Sequence, residues 1–468
     1  MSHTGLEPPE TRPQGRGVVT SIVFAVMLLG VAATYAAGLN GPITMAVVFV
    51  VTMAIGVPIP FAAGIATVAG LYIADIPMTL MAQAAWTAFE PFPLVTIPLF
   101  VLAGQLMEQG GMSEKLVNIA QKLVGAYKGG LGLVTVVACM FFAALSGSGP
   151  ATTAAIGSIT IPAMQEEGYR SRFAGAIAAA AGALGSMIPP SNLLIIFALV
   201  TDVSIPRLFL AGIVPGIVLG IMLMIVVFVI SARNGYGGTG EKFRWRPLLE
   251  AFWEGKWAVM APVIILGGIY AGIFTPSEAA GVAVAYGLFV GMFIYRGLTW
   301  AKLFEAFKFT AIVIGTVLFI LGSTKAFGQL VTIFDIPDAV LGLFAGLAEF
   351  PWLVMLLIGV FYIIVGMWLE SIPQIIIFTA VFFPLVTSLG IDPVVFGIFT
   401  VMTCEIGFLT PPIGVNLFVA ARISKITIEE ISVGVLPLLI PYILMIFLLV
   451  FFDSWVTFLP DLFYGPMR

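Results

Sequence analysis

The sequence predicts an all-α polytopic membrane protein made of two halves of opposite orientation, each with a re-entrant hairpin and a discontinuous helix. Three observations carry this. The first is composition: of 468 residues, 60% are hydrophobic and 9% charged, with mean hydropathy +1.12, whereas soluble domains carry roughly a quarter charged residues. At about 20 apolar residues per crossing, the length allows roughly a dozen spans. The second is the placement of Lys and Arg between the apolar runs, which assigns each loop a side of the bilayer. The third is a pattern of polar, Gly- and Pro-bearing breaks that recurs 222 residues apart: Pro189-Pro190 with Pro411-Pro412, Gly185 with Gly407, Pro162 with Pro384.

Arg12 and Arg16 precede the apolar run 18–38, so residues 1–17 are expected to be a cytoplasmic tail and 18–38 an additional first helix. The run resembles a signal peptide, but it has span length and not the 7–15 residues of a signal core. The first inverted half is read as 42–232. Spans at 42–57 and 59–75 turn at "GVPIP", residues 76–93 lie along the outer interface, and 94–112 returns inside to Lys115, Lys122 and Lys128. The stretch 130–163 is flanked by Lys128 and by Arg170 and Arg172, so both ends are cytoplasmic, and "SGSGP" breaks its middle. That pattern predicts a re-entrant hairpin, because irregular backbone at mid-membrane must face protein or a polar cavity. The next helix, 173–206, is interrupted at Pro189-Pro190-Ser191-Asn192, and a span at 208–232 reaches the basic linker 233–257.

The second half is read as 258–452. Spans at 258–274 and 278–295 meet at an outer "TPSE" turn; Arg296, Lys302 and Lys308 mark an inner amphipathic stretch, and 309–333 runs out to Asp335 and Asp338. A second hairpin, 351–384, lies between Glu349 and Asp392 and is expected to enter from outside. Residues 393–421 cross inward, broken at Thr410-Pro411-Pro412; a final span at 433–452 leads to an outer tail, 453–468. This places 17 of the 20 Lys and Arg inside, the exceptions being Arg207, Lys325 and Arg468.

Inverted repeats with broken helices are the architecture of ion-coupled secondary transporters, with the site near the bilayer centre. A broken helix exposes N–H groups at one end and C=O groups at the other. Ser148-Gly149-Pro150 and Ser371-Ile372-Pro373 read as helix starts, with Ser as cap and Pro in the first turn, and such ends attract anions. Oxygens of Ser146, Ser148, Thr152, Ser191 and Thr410 suit a hard cation such as Na⁺. Two such pairings, one per half, suggest two cation sites flanking one anionic substrate. Glu370 is a carboxylate placed to bind a cation or take a proton; Glu405 could serve either role or satisfy a polar neighbour; Lys325 either pairs with an acidic residue or faces another subunit.

Other classes of function recede. The single histidine, His3, leaves no His-based dyad, triad or zinc motif, so the chain is not read as an enzyme. There is no P-loop and no basic patch for nucleic acid. Cys139 and Cys404 sit in apolar runs as small buried hydrophobes. A self-sufficient carboxylate carrier and, more remotely, a channel are the rival readings.

Four stretches carry a resemblance: "IPLFVLAGQLM", "GGLGLVTVVACMFFAALSGSGPATTAAIGSITIPAM", "GSMIPPSNLLIIF" and "GIDPVVFGIFTVMTCEIGFLTPPIGVNLFVAARIS". From about residue 43 to 452 the sequence resembles the large membrane subunit, DctM-like, of tripartite ATP-independent periplasmic (TRAP) transporters. The resemblance implies an elevator-type ion transporter in a bacterial inner membrane, with a cytoplasmic N-terminus and a periplasmic C-terminus. It implies a small four-helix membrane subunit, a periplasmic substrate-binding protein, Na⁺ as coupling ion, and a small organic anion as cargo, such as a C4-dicarboxylate or a sugar acid. Helix 18–38 departs from the shorter members and resembles the connecting helix of fused subunits.

Family cation sites fall on the hairpin tips and helix breaks. Carried onto this chain, the cation candidates are Ser146, Gly147, Ser148, Thr152, Gly185, Pro189, Glu370, Ser371, Thr410, Pro411 and Gly414. The anion candidates are Ser148, Gly149, Thr152, Ser191, Asn192, Ser371, Pro412 and Asn416.

Overall fold

The computed structural model describes residues 40–238 and 243–466. The expected helix at 18–38 and the tail before it lie outside the described residues, as do Lys242 and Arg468. The described residues are helical throughout, joined by short turns. Seven of the helical stretches are long and apolar enough to cross a membrane.

The described residues begin with α1 (Gly41–Ala54), started by Asn40, whose side chain accepts the Ile43 N–H at 3.2 Å, and α1 packs against α2 (Ile59–Ile73). The expected interfacial segment forms the short α3 (Thr79–Thr87), and α4 (Thr96–Gln109) returns. Next comes α5 (Met112–Val124), whose apolar residues Leu116, Ile119 and Ala120 are buried while charges occupy its other face. The first hairpin is α6 (Gly130–Ser146) and α7 (Gly149–Glu166); the first broken helix is α8 (Ser171–Gly182) and α9 (Asn192–Thr201). α8 is almost all Ala and Gly and fully buried from Phe173 to Gly182, because small side chains let neighbouring backbones close in.

α10 (Ile205–Asn234) starts before residue 206, so the first broken helix ends earlier than expected. Its two faces differ as lipid exposure requires: Leu219, Leu223 and Val227 are buried, whereas Ile217, Ile221 and Ile225 are exposed. α11 (Trp245–Tyr270) begins inside the segment read as a linker. The "TPSE" turn is a capping box, in which Thr275 accepts the Glu278 N–H at 3.3 Å and the Glu278 carboxylate accepts the Thr275 N–H at 2.8 Å. It starts α12 (Pro276–Phe289).

α13 (Trp300–Ile333) takes in the inner amphipathic stretch as its first turns and runs for 34 residues. A short α14 (Ile336–Phe344) follows. The second hairpin is α15 (Pro351–Gly366) and α16 (Ser371–Ser388); the second broken helix is α17 (Pro393–Phe408) and α18 (Val415–Ser424). The chain closes with α19 (Ile428–Val435), α20 (Leu439–Phe451) and α21 (Ser454–Tyr464), the last inside the expected outer tail.

The two halves interlock. α18 packs on α7 and α8 of the first half, α16 packs on α9, and α13 packs on both α4 and α16. Polar bonds bridge the same seams: Tyr442 donates its hydroxyl to the Ala180 carbonyl at 2.6 Å, and Gln165 Nε2 donates to the Ser424 carbonyl at 3.2 Å.

Candidate functional site

The first hairpin reverses at residues 147 and 148. Gly147 takes φ +62°, in the left-handed region open to glycine. Ser148 is extended and stands at the N-cap position of α7, but its side chain makes no cap bond. This corrects the expectation of a serine cap. The Gly149 N–H donates instead to Ser186 Oγ at 3.0 Å. Ser186 reaches it because the tip is pressed against the first break, where the Asn192 N–H donates to the Gly147 carbonyl at 3.1 Å. Across the tip, the hydroxyls of Ser146 and Thr152 stand 2.6 Å apart, with the Ser148 carbonyl 3.4 Å from Ser146 Oγ. The donors are neutral oxygens with no nitrogen or sulfur, a set suited to a hard monovalent cation.

The first break runs through a short 3-10 turn, Ala183–Ser186, and the cis Pro189-Pro190 peptide. Ser191 caps α9 by accepting the Leu194 N–H at 3.3 Å, and its own hydroxyl donates to the Ser186 carbonyl at 2.6 Å. Its hydrogen bonds therefore stay inside the break.

The second hairpin turns at residues 367–370. Glu370 occupies the N-cap position of α16 and Ser371 its first turn, one residue later than expected. Ser371 Oγ is buried without a hydrogen-bond partner among the described residues. The second break spans residues 409–414 and contains the cis Pro411-Pro412 peptide. It meets its own hairpin through the Ile413 N–H, which donates to the Met367 carbonyl at 3.2 Å. Thr410 Oγ1 donates to the Ile406 carbonyl at 2.7 Å. Pro411, Pro412 and Ile413 are exposed, whereas the first break is buried almost throughout.

Glu405 joins the two halves. It is 0% exposed, and its Oε2 accepts from Asn416 Nδ2 at 3.1 Å. A Cβ on Gly149 would lie 2.9 Å from Glu405 Oε2, 3.2 Å from Asn416 Nδ2 and 3.3 Å from Ser186 Oγ. The start of α7 thus faces a carboxyl group of the chain itself, where the sequence suggests a bound anion. Glu405 Oε1 and Asn416 Oδ1 remain buried without partners among the described residues.

A cavity of about 440 Å³ lies between the hairpin tips and the facing helices α4 and α13. Ser146, Gly147, Ser148 and Asn192 of the first half line it together with Glu370 and Ser371 of the second. These six are expected site residues that the structure gathers on one space. Gly149, Thr152, Gly185, Pro189 and Ser191 lie behind the first tip and do not line it. Thr410, Pro411, Pro412 and Gly414 sit at the second break away from the cavity wall, and Asn416 lies against Glu405. Lys325 faces a separate cavity on α13. Ser186, inside the expected break at 185–192, also lines the central cavity, as do Gln105 and Glu108, which sequence reasoning missed. Gln105 Nε2 donates to Glu108 Oε2 at 3.0 Å; a Gln and a Glu three apart inside an apolar run are the signal by which they could have been found.

Comparison with known proteins adds a family. Residues 46–455 match the model described as tripartite ATP-independent periplasmic transporter, DctM component. Among curated relatives, the isethionate TRAP transporter permease protein DctMQ of Oleidesulfovibrio alaskensis is 43% identical over 84% of this chain, which spans 62% of that protein's length. The C4-dicarboxylate TRAP transporter large permease protein DctM of Pseudomonas aeruginosa is 38% identical over 79% of this chain and 85% of its own. The 2,3-diketo-L-gulonate TRAP transporter large permease protein YiaN of Escherichia coli is 38% identical over 89% and 96%. In three dimensions the YdaH transporter of Alcanivorax borkumensis superposes with a TM-score of 0.58 at 16% identity, covering 82% of this chain and 89% of that one, a likeness of fold alone.

Proposed function

Because this chain belongs to the DctM family of tripartite ATP-independent periplasmic transporter components, a family of permeases and not of enzymes, we propose that it is the large subunit of a Na⁺-coupled importer of a small organic anion. The observation that carries this reading is the central cavity, to which both hairpin tips contribute: Ser146 and Ser148 from the first, Glu370 and Ser371 from the second. Relatives are named for isethionate, C4-dicarboxylates and 2,3-diketo-L-gulonate; what these cargoes share is small size and an acid group. On this reading a separate binding protein delivers the anion, and a small membrane subunit completes the assembly in a bacterial inner membrane.

The hairpins α6–α7 and α15–α16 and the broken helices form the mobile body, and α1–α4 with α10–α13 form the scaffold it slides along. Na⁺ held by Ser146, Ser148 and Thr152 ties the first tip to its break at Gly185, and a second ion sits where Glu370 and Ser371 meet the second break. Lys and Arg placement puts the Glu108 end of α4 inside, so the cavity opens toward the cytoplasm and this conformation is the inward-facing one.

The test is uptake into proteoliposomes containing this chain, the small subunit and the binding protein. Accumulation is expected only with an inward Na⁺ gradient and only with the binding protein present. Uptake indifferent to the gradient would remove the coupling, and uptake by this chain alone would favour a self-sufficient carrier.

A further inference from the structure

One face of α13 lines two cavities in succession. Phe309, Val313, Thr316 and Ile320 line the central cavity. Thr324, Lys325, Gly328 and Thr332 line a second one of about 190 Å³. Steps of three and four residues keep them on a single stripe, which runs roughly 35 Å along the helix. Lys325 is the only charged residue that α13 gives to either cavity.

The surroundings of Lys325 favour an anion. The opposite walls come from Thr87 and Ala88 beside α3, Leu199 and Val200 of α9, and Ile376 and Ala380 of α16, and among the described residues no Asp or Glu lines the space. A wider groove shares Thr87, Gln329 and Thr332 with it and adds Gln83, again without a carboxylate. Lys325 is exposed and makes no ion pair or hydrogen bond among the described residues. An amine in a membrane-spanning helix is costly unless water, a counter-charge or a ligand meets it. Here the cavity supplies room for the ligand, and Gln329 and Thr332 supply polar neighbours. Its other walls belong to α9 and α16, which follow a break and a hairpin tip of the central site.

We propose that Lys325, with Gln329 and Thr332, is an outer anion station that holds the acid group of a small organic anion one step from the central cavity. It rests on the reading that this chain carries such anions. Lys325 stands five residues beyond Ile320, about 7.5 Å along the helix axis, so an anion leaving the amine meets the end of the central cavity's wall next.

The test measures local charge without measuring transport. Gln329→Cys, and Thr332→Cys as a second position, are made in the complete complex in native membranes; Cys139 and Cys404 are buried and stay silent. Each thiol is reacted with an anionic and with a cationic methanethiosulfonate of similar size. The anionic-to-cationic rate ratio is expected to fall roughly tenfold when Lys325→Gln is added and to persist with Lys325→Arg. A ratio that ignores Lys325→Gln means the amine is neutralised, as by a carboxylate of a second membrane protein, and overturns the proposal. So do two thiols that react with neither reagent, since no aqueous anion then reaches the cavity. Neither Na⁺ nor cargo enters the measurement, so its failure is distinct from failure of Na⁺-driven uptake.

Discussion

At the scale of single residues, Glu405 and Gly149 depend on each other. A fully buried carboxyl is costly, and the cost is offset by Asn416 and by the N-terminal end of α7 that Gly149 begins. Glu405→Ala leaves the buried Asn416 amide without its partner, so a loss of about 1–3 kcal/mol is expected. Glu405→Gln, which keeps the shape and one acceptor, is expected to lose much less. Thermal unfolding of the purified complex in detergent separates the two, and equal melting of Glu405→Ala and the parent would remove the structural role. Gly149→Ala sets a methyl 2.9 Å from Glu405 Oε2, closer than side-chain carbons come, and is expected to unseat the same cluster. Nothing in one sequence announces this contact, because positions 149, 186 and 405 meet only through the interlocking of the halves. The apolar run around Glu405 shows that the carboxyl is buried but not what it touches.

At the scale of elements, the repeat visible in the sequence has a mechanical meaning. Gly185 and Gly407 match at 222 residues, and each lets a hairpin tip lie against the break of the same half. A Cβ on Gly185 would meet the Ser148 carbonyl oxygen at 2.5 Å, and one on Gly407 would meet the Gly366 backbone at 2.7 Å. Backbone cannot turn aside as a flexible side chain does, so Gly185→Ala and Gly407→Ala are each expected to cost about 1–3 kcal/mol and to abolish Na⁺-stimulated uptake. Gly267→Ala in α11, where nothing lies within 4 Å, is the control and should leave uptake unchanged. Full uptake by Gly185→Ala would show that the tip need not stay seated. The hairpins and breaks were legible because polar, Gly and Pro residues are conspicuous in an apolar chain. α5, α14 and α21 were not, since these short helices lie outside the span-length apolar runs. α11 shows another limit: the change from basic to apolar residues marks the membrane surface, while the helical backbone crosses it without interruption from Trp245. The shift of the second cap from Ser371 to Glu370 is smaller still, a single residue, and a serine beside a glutamate does not decide it.

At the scale of the whole molecule, everything asked of the cavity depends on the hairpins entering from opposite sides. The cavity receives both tips, and the expectation of opposed entry comes from the charges, basic at 170 and 172 and acidic at 349 and 392. Two introduced thiols test it. Glu167→Cys lies in the exposed turn after the first hairpin, and Ser388→Cys lies at the exposed end of the second, each remote from the cavity wall. In right-side-out membrane vesicles a charged, impermeant maleimide is expected to label Ser388→Cys at once and Glu167→Cys only after permeabilisation; inverted vesicles should reverse the order. Labelling of both thiols from one side would place both hairpin mouths in the same compartment. A body that slides between two openings would then have no symmetry-related second state, because exchanging the conformations of the two halves is what converts an inward-facing transporter of this architecture into an outward-facing one.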